Sequence, residues 1–171
     1  NREKYNYELI KINKELIEGM TISSSKIRES LLSGKVDIAN KMLGSFFKIR
    51  GIVIKGSQLG GKIGFPTANI KVEDLKLIPG KGVYLVVVKI FNKEYMGMCN
   101  IGTKPTINTE NKKISFEVHI LDFKKNIYEE RLEINFVKFI RKEKKFSSIQ
   151  NLKKQLITDR NKCLEYSFNN V

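Results

Sequence analysis

Apolar residues along this chain change their spacing twice. Leu9, Ile12, Leu16 and Ile17 recur at the intervals of one helix face and predict a helix over 5–18 that Gly19 ends. Ser23, Ser24 or Ser25 can cap a second helix through Leu32, with Glu29 in its early turns and Gly34 past its end. Val36 to Leu43 predicts a third short helix, closed by Gly44. At Phe46 the pattern becomes that of strands, over 46–55, 65–72, 82–91, 94–101, 113–122 and 131–140. Pro79-Gly80, Phe91-Asn92-Lys93 and Lys124-Lys125-Asn126 supply turn chemistry between them. Short strands in succession, with no helices between, predict an antiparallel barrel or sandwich. From Ser147 to about Phe168 the helical period returns, with Ile149, Leu152, Leu156, Ile157 and Leu164 as the apolar stripe. The expected fold is mainly β: a small antiparallel barrel with a C-terminal helix packed on it, preceded by short helices. The shift at Phe46 divides the chain into a helical part, 1–43, and a barrel part, 44–171.

Composition adds limits. At 171 residues and 41% hydrophobic content the chain can bury one sizeable core. No apolar run approaches the ~18 residues of a membrane-spanning helix, and the N-terminus lacks a signal-peptide pattern, so no membrane partner is expected. Cys99 and Cys163 lie far apart and there is a single histidine, which argues against a zinc site. Two such cysteines read as reduced thiols of a cytoplasmic protein. The net charge of +14 invites a nucleic-acid reading. The lysines are spread along the whole chain, however, among abundant Asn and Ile, as compositional drift would leave them. A basic surface also suits smaller anions such as ATP. The start at Asn1, in a charged segment, suggests a fragment.

The stretch from Gly56 to Asn69 carries the strongest chemical signal: four glycines, Lys62 and a Pro-Thr-Ala-Asn exit. Glycines admit positive φ and close approach to a ligand, and bare N–H groups in such a turn can hold a phosphate. Thr67 and Asn69 offer two oxygen ligands on one strand face, as a shared Mg²⁺ requires. Gly56, four residues and Gly61-Lys62 imitate a Walker A loop, but Ile63 stands where Ser or Thr should bind the metal. Gly64, Phe65 and Pro66 also favour extended chain where a helix should open, which argues against a Walker NTPase. A Gly-rich hairpin turn without a ligand is the plain alternative.

In 116–123, Phe116, Val118 and Ile120 alternate with Glu117, His119 and Leu121. Glu117 is either a solvent-facing carboxylate or a general base lying across a barrel mouth from the glycine loop. His119 reads more simply as a structural residue. Asn100 to Thr106 is either an ordinary turn or a loop lining a pocket. Arg141 to Phe146 is a charge run that is either solvated or able to stack a planar ligand on Phe146 and hold its phosphate.

Gly-Phe-Pro-Thr-Ala-Asn (64–69), Phe-Glu-Val-His-Ile-Leu-Asp-Phe (116–123) and Arg-Lys-Glu-Lys-Lys-Phe (141–146) together resemble the riboflavin kinase family. More closely, the chain is similar to the C-terminal half of bacterial bifunctional FAD synthetases (riboflavin kinase/FMN adenylyltransferase), from about Thr21 to Tyr166. The resemblance implies a six-stranded antiparallel Greek-key barrel with a C-terminal helix. It implies phosphorylation of riboflavin to FMN by ATP with Mg²⁺. Thr67 and Asn69 would meet the Mg-ATP phosphates, the turn Gly60 to Gly64 would cover the nucleotide, and Glu117 would activate the riboflavin 5′-hydroxyl. Arg141, Lys144 and Phe146 would lie at the flavin. Related sequences commonly carry an arginine where this chain has Gly61, leaving Lys62 to supply that charge. Ile22 to Arg28 is similar to the second signature of the family's adenylyltransferase domain, with Ser23, Ser24, Lys26 and Arg28 as its phosphate-contacting groups. The upstream histidine pair that domain needs is missing, so 1–43 would be its truncated remnant plus linker, unable to make FAD. The rival from another class is a basic β-barrel binding nucleic acid without catalysis; a flavin-storing relative without turnover is the third. Oligomeric state is not legible.

Overall fold

The computed structural model describes residues 4, 16, 17, 19–56, 59–72, 77–104 and 113–168. Most of the helix expected over 5–18 lies outside these. Its end is corrected: β1 (Leu16–Ile17) pairs antiparallel with β2 (Met20–Thr21). Gly19, at φ 76°, turns the chain between them, so it makes a hairpin where a helix stop was expected.

Helices α1 (Ser24–Leu32) and α2 (Val36–Leu43) form where the serines and the apolar spacing place them. Ser23 caps α1 by accepting from the Lys26 N–H at 3.3 Å, and Gly44 ends α2 in the left-handed region. Both helices lean on the barrel, for Leu31, Val36 and Ala39 belong to its main core cluster. Asn40 fixes the contact, donating to the Phe136 carbonyl at 2.8 Å and accepting from the Phe47 N–H at 2.7 Å.

Six strands close the barrel: β3 (Lys48–Ile54), β4 (Ala68–Val72), β5 (Gly82–Ile90), β6 (Lys93–Lys104), β7 (Lys113–Ile120) and β8 (Arg131–Arg141). Their order around it is β3-β4-β7-β6-β5-β8, with every pair antiparallel. Closure gives each of the six strands a neighbour on both sides. Strand alternation sends Ile49 and Val53, Val86 and Val88, Phe116 and Val118, and Ile134 and Phe136 inward, where all are buried. Phe136 meets Tyr84 and Phe116 edge-on, at 5.3 and 6.1 Å between centroids. Such aromatic pairs add about 0.5–1.5 kcal/mol each beyond area burial. On the outer face Arg50, Glu133, Lys89 and Glu94 stand opposite one another across β3, β8, β5 and β6, an alternating charge row that favours this register.

Two elements differ from the pattern reading. The glycine stretch contains one helical turn, α3 (Leu59–Lys62), because the Gly60 carbonyl accepts from Ile63 and Phe65 N–H groups and closes the loop on itself. The long helix α4 (Ile149–Phe168), capped by Ser148 at its first turn, presents a different stripe from the expected one. Ile149 and Ile157 are 52% and 45% exposed, while Asp159 and Cys163 are fully buried. The inward face runs Leu152, Leu156, Asp159, Cys163, Tyr166, and Phe65, Leu85 and Met98 pack against it in a second core cluster outside the barrel.

Candidate active site

Strand register builds one wall of a site. Asn69 of β4 stands opposite Glu117 of β7, and Glu117 stands opposite Asn100 of β6. Asn100 in turn faces Val83 of β5, which faces Arg141 of β8. Opposed residues share a sheet face. Since Phe116 and Val118 point into the barrel, this row points outward, toward α4. The expectation that Glu117 looks across the barrel mouth is therefore corrected: it lies on the barrel's outer wall, half-buried by what packs over it.

A cavity of about 300 Å³ lies between that wall and α4. Gly60, Thr67, Glu117, Arg141, Lys144 and Phe146, from three separate stretches of the sequence, all line it. Met98, Leu152 and Leu156 give it an apolar floor. A second cavity of about 320 Å³ opens at the barrel end, where the inward-facing Val53, Val118 and Ile120 meet Lys124, Lys125 and Tyr128. Thr67 lines both cavities. The chain just before β4 is thus the partition between an outer-wall pocket and a basic barrel-end pocket.

The glycines divide by what surrounds them. A side chain at Gly56 would overlap the Asn69 amide, so the bare backbone there is what lets Asn69 lie in its 8%-exposed position. A side chain at Gly60 would strike the Phe65 carbonyl. Gly64 has φ 85°, which glycine tolerates best. Gly61 has open space around it. Lys62 and Gly64 are exposed and line neither cavity. Ser23 serves as the α1 cap, and Ser24, Lys26 and Arg28 are exposed away from both cavities. Pro105 and Thr106 lie outside the described residues; Asn100 to Lys104 continue β6 rather than turning.

Arg141 lies in the cavity wall, but its guanidinium is already engaged. Its Nε donates to both Asp159 oxygens at 3.0 and 2.9 Å, and its Nη2 lies 2.8 Å from Oδ2. Gln155 donates to the same carboxylate at 2.9 Å. The guanidinium carbon sits 5.8 Å from the Phe146 ring centroid. Asp159 thus couples α4 to the end of β8, and the pattern reading missed it. Its signal was present: a lone carboxylate on the apolar stripe, three residues past Leu156 and four before Cys163.

His119 also lines the cavity. Its Nδ1 is 2.7 Å from the Pro66 carbonyl and its ring lies 5.2 Å from that of Phe65. Burial lowers its pKa below 6.5, as does Arg160, against the opposing pull of the Pro66 bond and Asp122. Both cysteines are free and buried, and burial raises their thiols, that of Cys163 to about 12, so neither is poised as a nucleophile. Among the described residues there is no cluster of three or more His, Cys, Asp or Glu side chains able to hold a metal. Likewise no helix is long and apolar enough to cross a membrane.

The family profile described as riboflavin kinase matches residues 43–167. A bifunctional riboflavin kinase/FMN adenylyltransferase of Buchnera aphidicola is 43% identical over 159 residues, which cover 91% of this chain and 50% of that protein. The protein of the same description from Bacillus subtilis is 40% identical over 149 residues, 86% of this chain and 47% of its own length. A crystal structure described as a macrolide-efflux protein from Streptococcus pneumoniae superposes with a TM-score of 0.82 at 36% identity, covering 88% of this chain and 49% of that one. The chain spans about half the length of the curated relatives it matches.

Proposed function

The chain belongs to the riboflavin kinase family, and from that premise we propose that it transfers the γ-phosphoryl group of Mg-ATP to the 5′-hydroxyl of riboflavin, giving FMN and ADP. One observation carries the assignment of the site: Thr67 lines two cavities of different character. Mg-ATP occupies the barrel-end pocket, where Lys124 and Lys125 face its charge. Riboflavin occupies the outer-wall pocket, its ring against Phe146 and the apolar floor, with its ribityl chain reaching Glu117. The γ-phosphate is then at Thr67, between donor and acceptor.

Glu117 accepts the hydroxyl proton as the oxygen attacks phosphorus in line with the departing ADP. The remaining work is positioning and charge neutralisation. Thr67 and the side-chain oxygen of Asn69 are neutral, hard ligands. They would hold a Mg²⁺ that arrives with the nucleotide, and its charge would offset that of the phosphates. Gly60 presents bare backbone beside Thr67, on the flavin side of the partition. Lys144 faces the flavin pocket, and Arg141 acts there through its contact with Phe146. The two free buried thiols suit the reducing cytoplasm.

Incubation with riboflavin and Mg-ATP, followed by chromatography, tests this reading. FMN should appear mole for mole with ADP. Salt-sensitive binding of single-stranded nucleic acid, with neither riboflavin nor ATP bound, would replace it by the nucleic-acid reading.

A further inference from the structure

The β4–β7 ladder stops at Ala68↔Val118. One reason is chemical: Pro66 has no N–H to donate, so backbone pairing cannot continue past Thr67 in the ordinary way. Thr67 nevertheless has to hold a fixed position, because it lines both cavities. Continued register would set it opposite His119. There a side chain takes over from the backbone. His119 Nδ1 lies 2.7 Å from the Pro66 carbonyl, and since a carbonyl only accepts, Nδ1 carries the proton. The Phe65 ring lies against the imidazole, 5.2 Å between centroids. His119 itself is held on a strand paired on its other side, opposite Met98 of β6. The catalytic roles above make no use of this bond.

We propose that His119 is a positioning residue: by holding the Pro66 carbonyl it fixes the peptide that carries Thr67, and so sets the affinity for Mg-nucleotide. This rests on the kinase reading of the site. The bond bears on the partition at Thr67, and since the imidazole also lines the flavin pocket, the decisive comparison is between variants with and without a donor at the Nδ1 position. Loss of the N–H should therefore weaken Mg-nucleotide binding, and a donor restored at that position should recover it.

The test uses the full chain and three variants, with Mg-ADP binding followed by calorimetry and riboflavin binding by flavin fluorescence. His119→Asn sets its amide N–H where Nδ1 stood. His119→Gln sets its amide at the position of Nε2 and cannot reach Pro66 in the same way. His119→Phe keeps a ring against Phe65 with no donor. For Phe and Gln, Mg-ADP binding should weaken roughly five- to tenfold, the worth of one hydrogen bond. His119→Asn should recover most of the loss. If Phe fails to fold, the contrast between Asn and Gln decides. Unchanged Mg-ADP binding in Gln, or Asn no better than Gln, overturns the proposal and leaves the kinase reading standing. Failure of the unmutated chain to bind either ligand overturns the kinase reading, and this one with it.

Discussion

Asp159→Ala should be the most costly single truncation on α4. The Asp159 carboxylate is 0% exposed and the Arg141 side chain 12%, and contacts of 2.8–3.0 Å join them. Salt and solvent screen so enclosed a pair far less than a surface one. Removing one partner of a buried ion pair costs about 3–5 kcal/mol, because the other charge stays buried without compensation. Gln155 loses an acceptor as well. Against a domain's total of about 5–15 kcal/mol, that is a large share. Arg141→Ala should cost a similar amount, and the double variant clearly less than the sum. Replacing the pair together, Arg141→Met with Asp159→Leu, should restore stability to near the starting value. Riboflavin affinity should not return, since no guanidinium then sits beside Phe146. Urea unfolding at low and high salt gives the stabilities, and fluorescence titration gives the binding. Additivity of the single variants within about 0.5 kcal/mol would refute the argument, because independent sites add to that extent. So would a loss for Asp159→Ala below ~1 kcal/mol that vanishes in salt, the behaviour of an exposed pair.

Gly61→Arg should leave the melting temperature unchanged, since a Cβ at this exposed position meets open space, and should lower the KM for ATP by placing a cation on the loop. Gly60→Ala, directed at the Phe65 carbonyl, should lower both stability and ATP affinity; equal behaviour of the two variants in thermal melts and steady-state kinetics would contradict the loop geometry. The folded pKa of His119 is lowered, so between that pKa and 6.5 the unfolded chain binds the extra proton. The stability contribution of neutral His119 is complete above about pH 6.5 and is lost as pH falls toward the folded pKa. His119 is the single histidine, so urea midpoints from pH 7.5 downward should fall in the native chain and stay flatter in His119→Asn.

Fold and site were legible to different depths. Alternation in 116–123 correctly separated Phe116, Val118 and Ile120 from Glu117 and His119, because a two-residue period needs no tertiary information. Which of those faces points into the barrel's end was not readable, since it depends on closure. That is why Glu117 was expected at the mouth and is found on the outer wall. Thr67 and Arg141 could be named from motif resemblance, but that they share one cavity depends on the register of five strands. Asp159 was missed for a different reason. Sequence patterning treats a carboxylate as solvent-facing, and only Arg141, eighteen residues away, reverses that expectation. The pairing at Leu16–Ile17 escaped because four apolar residues at helical spacing outweighed Gly19.

The central claim is that Glu117 takes the proton from riboflavin while Thr67 holds the phosphate beside it. Its most direct measurement is the rate of FMN formation by Glu117→Gln at saturating riboflavin and Mg-ATP, with nucleotide affinity measured alongside. The variant keeps the size of the side chain and one accepting oxygen, and loses the base. The account predicts kcat lower by roughly 10²–10⁴-fold with ATP affinity nearly unchanged. Turnover within a few-fold of the native chain would contradict it.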